Sequence, residues 1–521
     1  MARGKIDTDK REDETAVYKP VKPKKNAVKA EAPKGLRARP EPADSAEKTK
    51  PERTKTGRLK PEKPKEEARK PERRAPKRYE PEKELSGREK REKARAAAVA
   101  KDRRRAVSRA GDAGVTLIAL LTAVFEVLSL LLCAVRTEGA ADMQAVKLCA
   151  AVASLGLLST LVLPRFLPMD SLVMALTNFL CGVGIVVLYT VSPERGMRQA
   201  VFYALGLAVM LVMSEIVFHV RHFRGLTLLG MVLGIGALIL PLAFGRWNNG
   251  AKNWVQVPLL GSFQPSEIVK LSVVLALAYF FSAHRTVWQM MPALVFAAAC
   301  LLLLMMQRDL GTALIYYLTT LVLFYVACGN VPLTIVGLGG GVGAAVLGYQ
   351  MFAHVKVRVA MWRNPWSDPT DKGYQIIQAL LAIGSGGLFG VGLGQGTPEK
   401  IPAYYNDFIF AVICEQLGQV FGVLLLAVYV LLILRGVTVV ARARRSFEML
   451  LGCGVLAMLG IQTFMIVAGV IKMIPLTGVT MPFLSYGGSS LLSCMAMIGI
   501  LHGASARAQE NLEEDILCVK G

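Results

Sequence analysis

The sequence predicts an all-α polytopic membrane protein with about twelve transmembrane helices, preceded by a basic amino-terminal arm. Hydrophobic residues make up 53% of the 521 positions, and the mean hydropathy is +0.42. Values this high indicate several membrane spans. The apolar residues are gathered into separate long runs rather than spread evenly along the chain. The net charge of +22 is uneven as well, because residues 1–110 hold 37 basic and 20 acidic side chains.

The arm, residues 1–110, is predicted to be disordered. It is rich in Lys, Glu, Arg, Pro and Ala, and it cannot bury enough apolar surface to offset its ordering entropy. It lacks the apolar core of a signal peptide. The basic stretch 101–109 directly precedes the first apolar run, which favours a cytoplasmic amino terminus near anionic lipid. A solvated tail is the simpler interpretation and a partner-docking arm is the alternative; nucleic-acid binding is not expected beside a membrane.

Each apolar run is long enough, or nearly so, to cross the ~30 Å hydrocarbon core as a helix. The runs cover residues 114–135, 145–163, 171–191, 198–218, 225–244, 266–283, 287–306, 311–328, 332–353, 407–434, 447–471 and 483–504. If the chain starts inside, the even-numbered loops are cytoplasmic and carry arginines, as the positive-inside rule requires. These arginines are Arg165, Arg221, Arg224, Arg285, Arg435, Arg442, Arg444 and Arg445. The even number of crossings also returns the carboxyl terminus, with Arg507, to the cytoplasm.

Polar and glycine-rich segments gather on the outer side in this topology. They are residues 245–265, 354–406 and 472–482, together with a shorter junction at Asp309. Prolines at helix starts and Ser or Asp caps explain about half of these residues taken singly, but not their accumulation on one side. A membrane protein keeps so much polar chemistry beside its helices where it does work or lines a cavity. We therefore expect the functional surface in the loop 354–406 and at Asp407, which follows it.

The nine cysteines are scattered, and most of them lie inside apolar runs. No C-x-x-C or Cys/His spacing occurs, so neither a zinc site nor a disulfide framework is indicated. The cysteines are interpreted as small apolar packing residues.

A series of motifs occurs between residues 171 and 505. In order, they read NGAKNWV, QPSEIVKL, QRDLGTA, NPWSDP, GYQIIQALLAIGSGGLFGVGLGQG, NDFIFAVICEQLG and PLTGVTMPFLSYGGSS. On these motifs the chain resembles the SEDS family (shape, elongation, division and sporulation), the FtsW/RodA/SpoVE group of peptidoglycan glycosyltransferases. The segment NPWSDP looks most like the FtsW branch, while elongation and sporulation stay open.

The resemblance divides the chain into four parts. They are the arm 1–110, two additional helices in 111–168, a ten-helix glycosyltransferase core in 169–506 with the extracellular loop 354–406, and a cytoplasmic tail in 507–521. The roles of the arm and of the additional helix pair lie outside what the resemblance implies.

The resemblance also implies site residues. It places the family's essential aspartate on Asp407, and substrate-binding roles on Glu399, Arg358 and the glutamate of QPSE, Glu267. The chain departs from the family pattern in ways that weaken assignment to one branch but leave the aspartate in place. These departures are Asn406, the run 414–416, Arg308 and Lys472.

The reaction that the resemblance implies is the extension of a glycan chain. The 4-hydroxyl of a lipid II sugar attacks the anomeric carbon of the growing chain. The polyprenyl pyrophosphate is the leaving group, and the configuration at the anomeric carbon is inverted. Such a step needs a base near the hydroxyl and cations near the diphosphate. Asp407 is the candidate base; the alternative is that it only caps the helix that follows.

Basic and aromatic side chains of the outer segments are candidates for substrate binding. Arg358 and Lys356, with Arg363 nearby, suit a diphosphate, and lipid headgroups are the alternative. Trp362 and Trp366 are expected to anchor the membrane interface rather than to stack on sugars. Lys252 and Lys472 are weaker cation candidates, with surface roles as the alternative.

Three further candidates have structural alternatives. Ser385 belongs to the glycine-rich run 384–396, which allows close approach to a ligand or to another helix. Glu415, roughly two helical turns beyond Asp407, is either a second acid in the cavity or a structural hydrogen-bonding carboxylate. His354 is expected to be a loop or interface residue rather than a proton carrier.

The resemblance implies lipid II as substrate, and a class B penicillin-binding protein and other division or elongation proteins as partners. It implies the cytoplasmic membrane of a bacterium as the location. A divalent cation, Mg²⁺ or Mn²⁺, could shield the diphosphate, although no ligand cluster argues for one. Two other functions stay open: a flippase for lipid-linked precursors, which glycine-rich breaks and Glu415 also suit, and a non-catalytic scaffold of the cell-wall synthesis complex.

Overall fold

The computed structural model describes residues 113–135, 142–220, 222–248, 251–257, 261–282, 287–441, 443 and 446–520. The predicted disordered arm lies outside the described residues. So do five of the arginines used to predict the topology, which are Arg221, Arg285, Arg442, Arg444 and Arg445.

The twelve predicted spans are confirmed as helices long and apolar enough to cross a membrane. They are α1 (Ala113–Val135), α2 with α3 (Met143–Leu161, Leu163–Phe166), α4 (Ser171–Val191), α5 (Pro193–His219), α6 (Phe223–Phe244), α7 (Pro265–Ser282), α8 (Val287–Met306), α9 (Leu310–Cys328), α10 (Val331–Met351), α13 (Ile409–Val440), α14 (Ser446–Val470) and α15 (Gly488–Lys520). Two shorter helices, α11 (Ala353–Arg363) and α12 (Tyr374–Gly386), lie between α10 and α13.

The centre of the bundle is formed by α4, α14 and α15, whose residues are buried along most of their length. A helix that is apolar all round fits such a position. Small residues let the backbones approach: a β-carbon at Gly499 would lie 2.3 Å from Met210 O, and one at Gly503 would lie 2.5 Å from Ser214 O. These contacts seat α15 directly against α5. By contrast, α10 buries none of its residues and lies at the edge of the bundle.

A small antiparallel sheet between α6 and α7 was not predicted. It contains β1 (Arg246–Asn248), β2 (Ala251–Val257) and β3 (Gly261–Phe263), in that order. Val255 pairs with Phe263, and the backbone amide of Lys252 donates to Gln307 O at 3.0 Å. The sheet therefore adds to the helical architecture, and it fixes the segment 245–265 against the junction before α9.

The predicted loop 354–406 is largely helical. It contains α11 (Ala353–Arg363), α12 (Tyr374–Gly386) and two short 3₁₀ turns, Pro365–Ser367 and Pro398–Lys400. After α12 the backbone runs beside α13, where Val391 N donates to Glu415 O at 2.9 Å. Helix α13 is interrupted at Gly418, whose φ of 90° and ψ of 164° are not helical. The glycine-rich run therefore lies against a broken transmembrane helix.

Several helix boundaries differ from the prediction, and two of the helix starts bear on the site. Helix α13 begins at Ile409, so Asp407 lies before it rather than inside it. Helix α15 begins at Gly488 rather than at 483, because the segment before it turns at Phe483, which has a φ of 67°. Helix α15 then continues to Lys520, so the predicted tail 507–521 starts inside a helix.

Charged groups are paired at the bundle end opposite Asp407. Asp170, the N-cap of α4, accepts from Nε of Arg435 at 3.1 Å and from its Nη2 at 2.6 Å. Glu448 forms an ion pair with Arg507, whose Nε lies 3.1 Å from Glu448 Oε1, and the Glu448 side chain is only 2% exposed. These pairs hold α4 to α13 and α14 to α15.

Candidate active site

Asp407 lies in the turn before α13, outside the membrane-spanning segment. The N-cap of α13 is Phe408, which forms no side-chain capping bond. Among the described residues, none forms a hydrogen bond or an ion pair with the Asp407 carboxylate. The capping alternative therefore does not describe this structure.

Arg358 and Asp407 face each other across Gly478. A β-carbon at Gly478 would lie 3.5 Å from Asp407 Oδ2 and 3.9 Å from Arg358 Nη2. The guanidinium is held from its other nitrogen, since Nη1 donates to Thr477 O at 3.2 Å. Helix α11, the turn before α13 and the segment before α15 thus meet at one place. Gly478 keeps the space between the two charges free of a side chain.

The surroundings of Asp407 alter its acidity. Burial raises the pKa of Asp407 from its ordinary 3.8 to about 6, Arg358 lowers this pKa, and Asp309 raises it. The carboxylate is consequently deprotonated at neutral pH, yet it is a stronger base than an ordinary aspartate. A pKa near the operating pH is what general-base catalysis favours.

Asp309 lies close enough to influence Asp407 but is fully engaged. Its Oδ1 caps α9 by accepting from Thr312 N at 3.1 Å. Its Oδ2 accepts from Asn253 Nδ2 and from Gln264 Nε2, each at 3.0 Å. Asp309 is therefore a helix cap, which is the structural alternative for an acid at a helix start. Asp309 ties the small sheet to the bundle, while Asp407 has no bonded partner in the part of the chain that the structure describes.

A buried polar network lies among the transmembrane helices at Glu267. Lys270 Nζ donates to Glu267 Oε2 and to Gln462 Oε1, each at 2.8 Å, and Gln462 Nε2 donates to Thr480 O at 2.8 Å. Glu267 therefore supports the segment that carries Gly478. Sequence analysis missed Lys270 and Gln462, although Lys270 follows Glu267 by three residues on one helix, a spacing that brings side chains together.

The segment before α15 supplies Thr477 and Gly478, which sequence analysis also did not single out. The polar composition of residues 474–490 indicated a functional segment, but it did not indicate which of its residues lie at the site. Trp362 contacts the same region, because its Nε1 donates to Lys472 O at 3.1 Å. Trp362 thereby fixes α11, and with it Arg358, against this segment.

Several predicted substrate-binding residues form contacts elsewhere. Lys252 Nζ donates to Leu242 O at 2.6 Å, and Ser385 Oγ donates to Ala382 O at 2.9 Å. Glu415 Oε1 accepts from Thr397 N at 2.9 Å. Lys356 and Glu399 are exposed. Arg358 is the predicted binding residue whose charge acts on Asp407; substrate contacts for the rest stay predictions.

His354, at the start of α11, has a buried Nε2 without a hydrogen-bond partner in the described part of the chain. Burial, Arg358 and Arg308 together lower the pKa of His354. The imidazole is therefore neutral at pH 7.

Comparison with known proteins agrees with this arrangement. A family model described as a cell cycle protein, FtsW/RodA/SpoVE, matches residues 170–510. The chain is 32% identical over 382 residues to "Peptidoglycan glycosyltransferase RodA" of Mycobacterium tuberculosis, covering 66% of this chain and 80% of the relative. It is 33% identical over 365 residues to "Probable peptidoglycan glycosyltransferase FtsW" of Geobacter sulfurreducens, covering 65% of this chain and 95% of the relative.

A solved chain resembles the fold, with a TM-score of 0.55 and 26% identity over 65% of this chain and 98% of the solved one. It comes from work on the "structural coordination of polymerization and crosslinking by a peptidoglycan synthase complex". All the elements that meet at Asp407 lie inside the region that the family model matches, whereas α1, α2 and α3 precede it. This chain belongs to the FtsW/RodA/SpoVE family.

Proposed function

We propose that this protein is an inverting glycosyltransferase that polymerises lipid II into peptidoglycan strands, with Asp407 as the general base. The observation that carries the proposal is the Asp407 carboxylate, partly buried, free of any capping bond, and facing Arg358 across Gly478. Family membership and relatives named as peptidoglycan glycosyltransferases support the same chemistry.

The geometry suits a displacement at an anomeric carbon. Asp407 takes the proton of the sugar 4-hydroxyl while the oxygen of that hydroxyl forms the new bond to the anomeric carbon. The bond from that carbon to the pyrophosphate oxygen breaks, and its electron pair leaves with the diphosphate. Arg358 supplies a planar cation that suits phosphate oxygens. Asp407 and Arg358 thus offer a base and a cation beside the same glycine, Gly478, and the reaction requires both groups.

The proposed orientation places the Asp407 end of the bundle outside the cytoplasmic membrane and both chain termini in the cytoplasm. Lipid-linked precursors would then meet Asp407 where the helices end at the outer boundary of the membrane. The arginines of the predicted inner loops support this orientation.

The proposed partner is a class B penicillin-binding protein, within a division or elongation assembly, that crosslinks the strands made here. The similar solved chain comes from a complex that coordinates polymerization with crosslinking, which supports this pairing. Mg²⁺ or Mn²⁺ is proposed only as a companion of the substrate diphosphate. Over the residues described, no group of three or more His, Cys, Asp or Glu could hold a metal, and Asp309 already accepts three bonds.

The test is polymerisation of purified lipid II in detergent, with and without the partner, by the wild type and by Asp407→Asn. Asp371→Asn is the matched control, since Asp371 is an exposed carboxyl in the segment before α12. We expect Asp407→Asn to lower turnover by about 10²–10⁴-fold, the usual contribution of a general base, and Asp371→Asn to leave turnover unchanged.

Two outcomes would favour the rival functions. Movement of labelled lipid II across vesicles by both the wild type and Asp407→Asn, without glycan chains, would favour the flippase. An inactive wild type that still assembles with an active partner would favour the scaffold.

A further inference from the structure

A cluster of one arginine and three tyrosines lies beside the turn that carries Asp407. It consists of Arg195 on α5, Tyr404 and Tyr405 in that turn, and Tyr486 before α15, and we name it the Arg195 cluster. We propose that Arg195 is a positioning residue that holds the turn 403–407, and therefore Asp407, in place. The inference rests on the proposed role of Asp407 and adds a residue from a different helix.

Arg195 contacts both tyrosines of the turn. Its Nη1 donates to the Tyr404 hydroxyl at 2.7 Å, and its guanidinium carbon lies 3.9 Å from the centre of the Tyr405 ring. A cation within about 6 Å of a ring centre is attracted to the ring face. One side chain thus restrains two consecutive residues, and these residues precede the proposed base by three and two positions.

The opposite side of the turn is held by the segment before α15. The Tyr405 and Tyr486 rings meet edge to face, with centres 6.0 Å apart and planes at 80°. Tyr486 N donates to Tyr405 O at 2.9 Å, and Ser485 Oγ donates to Asn406 O at 2.7 Å. Aromatic pairs prefer such edge-to-face arrangements. The turn is therefore enclosed between Arg195 and Tyr486.

Helix α5 contacts this second segment too. Gln199, one helical turn beyond Arg195, donates from Nε2 to Ser485 O at 3.1 Å. Its Oε1 accepts from Gly487 N at 3.4 Å. The start of α5 consequently fixes both segments at once, and rigid placement of the turn depends on it.

The turn needs this support for two reasons. Ala403 has a φ of 56°, a backbone conformation that residues other than glycine rarely adopt. In addition, Phe408, the N-cap of α13, forms no side-chain capping bond, so a cap does not fix the turn that precedes the helix. Small displacements of a catalytic group reduce turnover strongly.

The same residues do not form an open platform for a sugar ring. The guanidinium occupies one face of Tyr405, Tyr404 approaches that ring at 5.1 Å and 89°, and the Tyr404 hydroxyl is bonded to Arg195. Contacts within the chain thus use these groups, which favours positioning over substrate binding.

The experiment compares Arg195→Met, Arg195→Lys and Tyr404→Phe with the wild type and with a control, Arg224→Met. Arg224 is exposed near the start of α6, at the other end of the bundle. For each protein, kcat and KM for lipid II polymerisation with the partner are measured, together with hydrogen exchange of a peptide covering 403–408 and a thermal melting curve.

We expect Arg195→Met to lower kcat about tenfold with KM within about twofold, since it loses both a cation–π contact and a hydrogen bond. Exchange over 403–408 becomes faster, while the melting temperature stays close to that of the wild type. Arg195→Lys retains a cation and recovers part of kcat. Tyr404→Phe loses only the hydrogen bond, and its kcat falls about two- to threefold. Arg224→Met changes nothing.

The pH profile gives an independent readout. Burial raises the pKa of Asp407 to about 6, and the charged groups that act on it are Arg358 from α11 and Asp309 before α9. A loosened turn admits water to Asp407, so the acid limb of the rate profile moves to lower pH in Arg195→Met. It does not move in Arg224→Met.

Two results would overturn the inference. One is unchanged exchange and kcat in Arg195→Met while Asp407→Asn is inactive, which would leave the proposed function intact. The other is a tenfold rise in KM at constant kcat, which would make Arg195 a substrate-binding residue. If instead Asp407→Asn stays active, the proposed function fails, and faster exchange in Arg195→Met still supports the positioning of the turn.

Discussion

Two kinds of carboxylate occur in the helical bundle. At the end away from Asp407, Asp170 is bonded by Arg435 and Glu448 is paired with Arg507. At the other end, no residue in the described part of the chain bonds the Asp407 carboxylate. A paired carboxylate joins helices, but its lone pairs are occupied. An unbonded one stays free to accept a proton, and it carries a cost in stability that the paired ones avoid.

The Glu267–Lys270 pair belongs with the first kind. It is linked through Gln462 to Thr480 in the segment that carries Gly478, yet both of its side chains are buried and bonded to each other. Proximity to a functional site therefore does not make a carboxylate reactive. The difference between the two kinds predicts that substitutions in one should change stability, and substitutions in the other should change turnover.

Arg507→Met should have the largest effect, on stability. It leaves Glu448 buried without its partner, and breaking a buried pair costs about 3–5 kcal/mol. The loss is measured by reversible unfolding in mixed detergent micelles. Turnover per folded molecule should be unchanged, because the pair lies at the end away from Asp407.

Two controls sharpen this prediction. Glu215→Ala removes an exposed pair with His219 at the same end and should cost no more than about 1 kcal/mol. The double variant Glu448→Leu/Arg507→Met should recover much of the loss, since neither charge is then isolated. A normal stability for Arg507→Met would contradict our division of the carboxylates.

Arg358→Gln should act mainly on turnover. Loss of the cation that faces the reacting groups should lower kcat by about 10–100-fold. Arg358 lowers the pKa of Asp407, so its removal should also move the acid limb of the rate profile to higher pH. Arg363→Gln, an exposed change on the same helix, is the control. An acid limb at the same pH as in the wild type would show that Arg358 does not affect the pKa of Asp407.

The wild-type pH–rate profile should show an acid limb with a midpoint near 6. Asp407 must be deprotonated to act as a base, and burial raises its pKa to about 6. Below the midpoint kcat/KM should fall about tenfold per pH unit. The measurement is initial rates of lipid II polymerisation from pH 4.5 to 8.5, at about constant ionic strength. A flat profile over this range would exclude Asp407 as the titrating base.

The smallest effect concerns the stability of Asp407→Asn. Because the folded-state pKa of Asp407 is raised above its ordinary 3.8, protonation favours the folded state, and this contribution is lost as pH rises through about 6. Asp407→Asn should therefore melt about 1–3 °C above the wild type at pH 8. The two should melt together near pH 4, and a lower melting temperature at pH 8 would show that the charge is stabilising.

Much of the fold followed from the sequence because a membrane span is a local property. A run of about 20 apolar residues must form a helix to satisfy its own backbone in lipid, so the twelve spans could be read directly. The sheet at 246–263 could not be read in this way, since its strands are short and the segment reads as a polar loop. The helices inside 354–406 were obscured by glycine and by mixed polarity.

The candidate site also combines features that the local sequence determines with features that depend on tertiary contacts. Sequence by itself identified Asp407 and Arg358 through their motifs, and it placed them on one side of the membrane through the alternation of spans. Only the tertiary structure decided that Gly478 separates them, that Asp309 is a cap while Asp407 is not, and that Glu267 is neutralised by Lys270. A motif fixes which chemical groups are present, but the freedom of a carboxylate depends on neighbours contributed by segments far apart in the chain.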